Sequence, residues 1–216
     1  MDKFTIAIID EEEQQRSDFE FVFSNSFNVV QIDSFESIEV LIGQIKSENI
    51  DAVAIDYRLT EHNSTFKTNG DFLFKEIRKN LFEFPVFILT RSSDEVKKIC
   101  KTVDPSFIID KENIYFGKGE EEKMATFLDS IYTKISVYKN DLQEKINRVN
   151  NLEDLRKNNP EEFSKYESEF VNLNLELNKY LYAGNIQMTY FTSEANNKLN
   201  SLIEKAENIL NRLDKK

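Results

Sequence analysis

The chain has 216 residues, 40% of them hydrophobic and 31% charged, with a formal net charge of −11. That balance supports a packed core and excludes wholesale disorder. Residues 1–118 carry 14 Lys and Arg against 22 Asp and Glu, and residues 119–216 carry 14 against 17, so the two parts are net −8 and −3. Neither offers the basic patch that nucleic-acid or anionic-membrane binding requires, and both are set aside as partners.

In chain order, residues 4–9 (FTIAII) predict a buried strand running into Asp10 and Glu11. Phe19, Val22 and Phe23 have helical spacing within 13–25, and residues 27–33 (FNVVQID) predict a second strand. Ser34 is a candidate cap for a helix with Ile38, Leu41, Ile42 and Ile45 on one face. The stretch DAVAID, 51–56, predicts a strand buried on both faces that ends in a carboxylate, Asp56. A polar loop follows, then a helix in DFLFKEIRKN with Phe72, Leu73 and Ile77 on one face. FPVFILT predicts a strand ending at Thr90, SDEVKKICKTV a helix, and SFIIDK a strand ending at Lys111. Five strands alternating with helices predict an α/β fold, a parallel sheet covered on both sides.

Residues 119–216 change character: Asn, Lys, Glu and Leu dominate, and Gly and Pro nearly vanish. Apolar residues recur at helical spacing from Leu128 through Leu142, and less regularly through Leu152, until the NNP at 158–160 breaks the pattern. Phe163, Tyr166, Phe170, Leu173, Leu177 and Tyr180 form a second seam, and Leu199 to Leu213 a third. Helices over about 120–157, 160–181 and 189–214 are expected, as an α-helical hairpin or three-helix bundle. The fifth helix of the α/β part is expected to continue into the first of these. The domain boundary is placed at 118/119. Cys100 is alone, so no internal disulfide forms, and it reads as a packing residue. His62, the only histidine, reads as a surface loop residue. No apolar run reaches the length of a signal peptide or membrane span, so a soluble cytoplasmic protein is expected.

In a doubly wound parallel sheet, ligands bind at the carboxyl ends of the strands. Asp10, Glu11, Asp56, Thr90 and Lys111 all fall there. Three carboxylates would repel one another unless a cation lay between them, and oxygen-only ligands suit Mg²⁺. Asp56 could then act as a nucleophile and form an aspartyl phosphate, with Lys111 neutralising charge and Thr90 donating a hydroxyl hydrogen bond.

With IAIIDEE, DAVAIDYRLT, NGDFLFKEIR, FPVFILTRS and FIIDK in this order, the chain resembles the receiver domain of two-component response regulators over about residues 3–118. The resemblance implies the flavodoxin-like strand order 2-1-3-4-5. It implies that Asp56 accepts a phosphoryl group from a histidine kinase or phosphotransfer protein. It implies that Asp10, Glu11, Asp56 and the backbone carbonyl of Arg58 hold Mg²⁺, and that Thr90 and Lys111 are the switch hydroxyl and lysine. The only catalysis implied is the domain's own aspartyl phosphorylation and dephosphorylation. The helical extension would pass the state to a downstream protein or to a second copy of the chain.

The chain departs from the family pattern at several positions. Glu11 stands where a second Asp is usual. Arg91 replaces a small residue and narrows access to the site. Ile108 replaces the switch aromatic, and Glu112 replaces a proline. The loop after Asp56 is extended, reaching Gly70 only fourteen residues on, with an insertion at 60–69. These departures keep a second function open: an unphosphorylated pseudo-receiver acting as a constitutive adaptor or scaffold. A hydrolase using the same acids would want a second acid at position 58, where Arg58 stands.

Overall fold

The computed structural model describes residues 3–61, 65–99, 101, 103–113 and 120–182. His62, Cys100 and the helix expected at 189–214 lie outside the described residues. Strands β1 (Thr5–Ile9), β2 (Asn28–Ile32), β3 (Ala52–Asp56), β4 (Val86–Thr90) and β5 (Ile108–Asp110) form one sheet in the order β2-β1-β3-β4-β5. Every neighbouring pair is parallel. This is the doubly wound order, in which chain reversal opens a crevice at the β1/β3 switch point.

The side-chain period of two sorts the strands into two apolar layers. Ala7, Ile9, Val53, Ile55, Val86 and Ile88 face α2 (Ile38–Ser47), α3 (Gly70–Asn80) and α4 (Ser93–Ile99). Ile6, Ile8, Ala52, Ala54, Phe87 and Leu89 face α1 (Glu13–Phe23) and the first half of α5 (Glu121–Asn158), through Phe19, Phe23, Leu128, Ile131 and Ile135. All five residues of β3 and of β4 are buried, as continuous apolar runs require in a sheet covered on both faces.

Three local expectations are corrected. The cap of α2 is Ser37, not Ser34: its extended backbone lets Oγ accept from the Val40 amide at 3.4 Å, while Ser34 donates to Asp33 Oδ1. In α3, Phe72 is 45% exposed, and Phe74 joins Leu73 and Ile77 in the core. The last strand is shortened to Ile108–Asp110, because Asp104 accepts from the Ser106 amide and winds residues 105–107 into a 3₁₀ turn.

Beyond the sheet, α5 continues unbroken to Asn158. Asn159 then caps α6 (Pro160–Phe163), accepting from the Glu162 amide, and α7 (Glu167–Tyr182) runs back along α5. Arg148 pairs with both carboxylate oxygens of Glu169 at 2.7 and 2.8 Å. The 38-residue α5 meets α7 again nearer the sheet, where the tilted rings of Tyr138 and Tyr180 lie 6.4 Å apart, so the two helices are antiparallel. Tyr180 is buried, packs edge-on against Phe82 at 5.0 Å and donates to Glu83 Oε2 at 3.1 Å. The hairpin is thereby fastened to the turn that precedes β4. Tyr180→Phe keeps the packing and removes one bond to a carboxylate, so it should cost about 1–2 kcal/mol in denaturant unfolding. No loss would mean that the bond to Glu83 contributes nothing in solution. Among the described residues, no helix is long and apolar enough to cross a membrane.

Candidate functional site

Strand register brings the chemistry together. Ile9 lies opposite Ile55, so Asp10 and Asp56 follow side by side. Asp56 lies opposite Leu89, and Thr90 opposite Asp110, so Thr90 and then Lys111 emerge at the same end of the sheet. Asp10, Asp56, Thr90 and Lys111 are all buried there, and Glu11 is partly exposed.

The Lys111 ammonium sits 2.6 Å from Asp56 Oδ1 and 3.0 Å from Asp10 Oδ2, with the Phe19 ring 5.2 Å away on its other side. The remaining carboxylate oxygens take backbone donors: Asp10 Oδ1 accepts from the Glu12 amide, and Asp56 Oδ2 from the Arg58 amide. Arg16, buried in α1, donates to the Asp10 carbonyl at 2.7 Å. Gly70 presses on the backbone of the central acid: a Cβ there would lie 2.3 Å from the Asp56 carbonyl oxygen. A cavity of about 150 Å³ opens over Asp56, lined by Glu11, Glu12, Arg58, Glu61, Thr90, Arg91, Ser92 and Lys111. Thr90 Oγ1 accepts from the Ser92 amide, leaving its O–H to donate into that space.

Burial pushes the Asp10 carboxyl above its usual range, Lys111 pulls it back only in part, and Asp56 adds to the rise. Burial alone would lower Lys111, but the charges of Asp56 and Asp10 outweigh it and hold the ammonium above its usual value. Glu11 is pushed up to about 7, first by burial and then by the neighbouring charges of Asp56 and Asp10, against its own backbone amide. Its Oε2 is buried without a hydrogen-bond partner.

The set can be tested for a cation on these facts. The donors are all oxygen, which suits a hard divalent ion, and the orphaned Glu11 Oε2 is an atom that such an ion would satisfy. The Arg58 carbonyl accepts from the Glu61 amide at 3.1 Å and keeps a second lone pair. As the side chains stand, Lys111 occupies the space between the two aspartates, and among the described residues no three acids converge on one point. The all-oxygen donor set is chemically compatible with a magnesium ion.

Without metal, Glu11 sets a pH dependence. Its folded value lies above the unfolded one, so between about 4.5 and 7 the folded state holds more protons. Stability should therefore fall as pH rises through that window. Urea unfolding in a chelator should show a slope that Glu11→Gln flattens, and an unchanged slope would assign the titration to another group.

Spacing alone does not place Arg16 or Phe19 at the site, nor Gly70 against Asp56, nor Glu12, Glu61 and the Arg58 side chain on its rim. The Asn69–Gly70 pair was the one visible signal, since Gly marks close backbone approach.

No family model matches this sequence, and no curated protein does. Among solved structures, the chain is similar to the anti-anti-sigma factor PhyR from Bartonella quintana, at 14% identity over 67% of this chain and 51% of that one, with a TM-score of 0.47. It thus spans about half the length of PhyR. It is similar to a response regulator receiver domain protein from Clostridium thermocellum, at 18% identity over 63% of this chain and 97% of that one, TM-score 0.46. It is likewise similar to the receiver domain of nitrogen regulatory protein C, at 18% identity over 64% and 99%, TM-score 0.43. The β2-β1-β3-β4-β5 order and the two-layered helices are those of the flavodoxin-like receiver fold.

Proposed function

We propose that this chain is a receiver-type signalling protein in which Asp56 accepts a phosphoryl group from a histidine kinase or phosphotransfer protein. The observation that carries the reading is Asp56 at the floor of a small cavity, with the Lys111 ammonium at 2.6 Å and the Thr90 hydroxyl on the wall. An Asp56 carboxylate oxygen attacks phosphorus, the P–N bond of the donor phosphohistidine breaks, and its electron pair stays on the imidazole nitrogen. Such transfer demands positioning and charge neutralisation more than covalent chemistry from the protein. Asp10, Glu11, Asp56 and the Arg58 carbonyl would hold Mg²⁺, which would supply charge neutralisation for the transferring oxygens. Lys111 holds Asp56 in place and stays charged at any physiological pH. Arg16 fixes the Asp10 backbone, and Gly70 fixes that of Asp56.

The output is protein contact by the helical hairpin, with a downstream protein or a second copy. Its exposed Val137, Val171 and Leu175 suit that more than a nucleic-acid role. The protein is read as cytoplasmic, and its only catalysis as that of its own modification.

Incubation with Mg²⁺ and acetyl phosphate should add one phosphoryl mass to the intact protein and none to Asp56→Asn. No addition together with no Mg²⁺ binding would favour the adaptor reading.

A further inference from the structure

We infer that Arg91 is a second phosphoryl-binding cation, whose guanidinium folds over the cavity mouth and donates to the oxygens of a phosphoryl group on Asp56. The inference rests on the reading of Asp56 as phosphoacceptor and deepens it.

The charge inventory leads there. Phosphorylation replaces one negative charge on Asp56 with about two, and adds three strong acceptor oxygens. Lys111 has three donor hydrogens, and its two short contacts to Asp56 and Asp10 leave only one for a phosphoryl oxygen. Thr90 supplies one neutral donor. A Mg²⁺ held by Glu11, Asp10 and Asp56 would take up part of the added charge, but the wall also holds Glu12 and Glu61, so the outward phosphoryl oxygens enter an acidic surround.

Two further cations line the cavity, Arg58 and Arg91. The Arg58 guanidinium is drawn to Glu61 at 3.3 Å. Arg91 has no hydrogen-bond or ion-pair partner among the described residues. It directly follows Thr90, in the loop where Thr90 and Ser92 also line the cavity. Its side chain is exposed, so folding it inward disturbs no packing. A planar fork of N–H donors matches two phosphoryl oxygens at once, which an ammonium cannot do. The side chain that narrows the mouth is thus also the one that recognises what enters.

Affinity for a phosphoryl mimic separates recognition from obstruction. Beryllofluoride binds a carboxylate oxygen as a tetrahedral trifluoride, and its bound ¹⁹F signal can be titrated in the full chain with Mg²⁺. Arg91→Ala and Arg91→Gln should each bind about tenfold more weakly than wild type, the size of one lost charge-assisted hydrogen bond. Arg91→Lys should recover part of the loss, and Asp56→Asn should give no bound signal. Unchanged thermal midpoints in the Arg91 variants exclude misfolding. Equal or tighter binding by Arg91→Ala overturns the inference while leaving the phosphoacceptor reading intact, because Arg91 would then be a bystander or an obstacle. No bound signal even in wild type overturns that reading and the inference with it.

Discussion

Lys111→Met should destabilise the fold by about 3–5 kcal/mol at pH 8, because it leaves two buried carboxylates facing each other without a cation. Asp10 is 1% exposed and Asp56 6%, so water cannot replace the ammonium. The loss should shrink as pH falls toward 5. Asp10 already binds its proton more tightly in the folded state than in the unfolded chain, and removing Lys111 strengthens that preference. In the wild type, Lys111 itself has a raised folded value, so its contribution is complete below about 10.5 and is lost only at higher pH. The double variant Asp56→Asn/Lys111→Met should regain much of the stability, since one of the two repelling charges is gone. Urea midpoints at pH 5 and 8 read all three effects. A small loss, equal at both pH values, would mean that the two acids are better solvated than their burial implies.

Gly70→Ala should destabilise the protein by about 3 kcal/mol or more, against the usual sign for this change in a helix. Alanine at a helical position normally gains up to about 1 kcal/mol over glycine. Here the added methyl would meet the Asp56 carbonyl oxygen at 2.3 Å, its carbon at 3.0 Å and Tyr57 Cα at 3.1 Å. All three are backbone atoms at the end of β3 and the first residue of the turn after it, and the Gly70 amide is itself bonded to the Tyr57 carbonyl at 2.9 Å. Relief requires α3 to move off the end of β3 or the Asp56 backbone to give way, and the second would disturb the Asp56–Lys111 contact. Calorimetric melting of the variant decides the sign, and a rise in midpoint would refute the close approach.

Much of the fold was legible because β1, β3 and β4 are short apolar runs that end in charged or hydroxyl residues. A strand buried on both faces has few other ways to be written. The parallel register then fixes which of those end residues are neighbours, and that step needs only the alternation of strands and helices. Finer points depend on which atoms win a local competition. Ser34 and Ser37 are both competent caps, and the Asp33 carboxylate captured the first. Phe72 and Phe74 flank Leu73 symmetrically, and spacing alone does not say that Phe74 is the one that packs inward. Glu11's unpartnered oxygen and Arg16's grip on the Asp10 carbonyl leave no trace in spacing, because the first is a contact that is missing and the second joins a side chain to backbone across the β1–α1 turn. The hairpin's return to Glu83 is likewise a contact between residues 97 positions apart.

The unbroken course of α5 constrains how this protein could be recombined with others. Its first half supplies Leu128, Ile131 and Ile135 to the sheet, and its second half supplies Ile146, Val149 and Leu152 to the hairpin. A foreign effector joined at residue 118 would therefore strip α5 from one face of the sheet and leave α1 to cover it alone. The splice has to fall beyond Ile135, inside a continuous helix. There the number of residues is an angular setting: each one inserted or deleted turns everything downstream by about 100°. Chimeras made at this junction should work or fail with a helical periodicity in splice length, as a key turns in a lock.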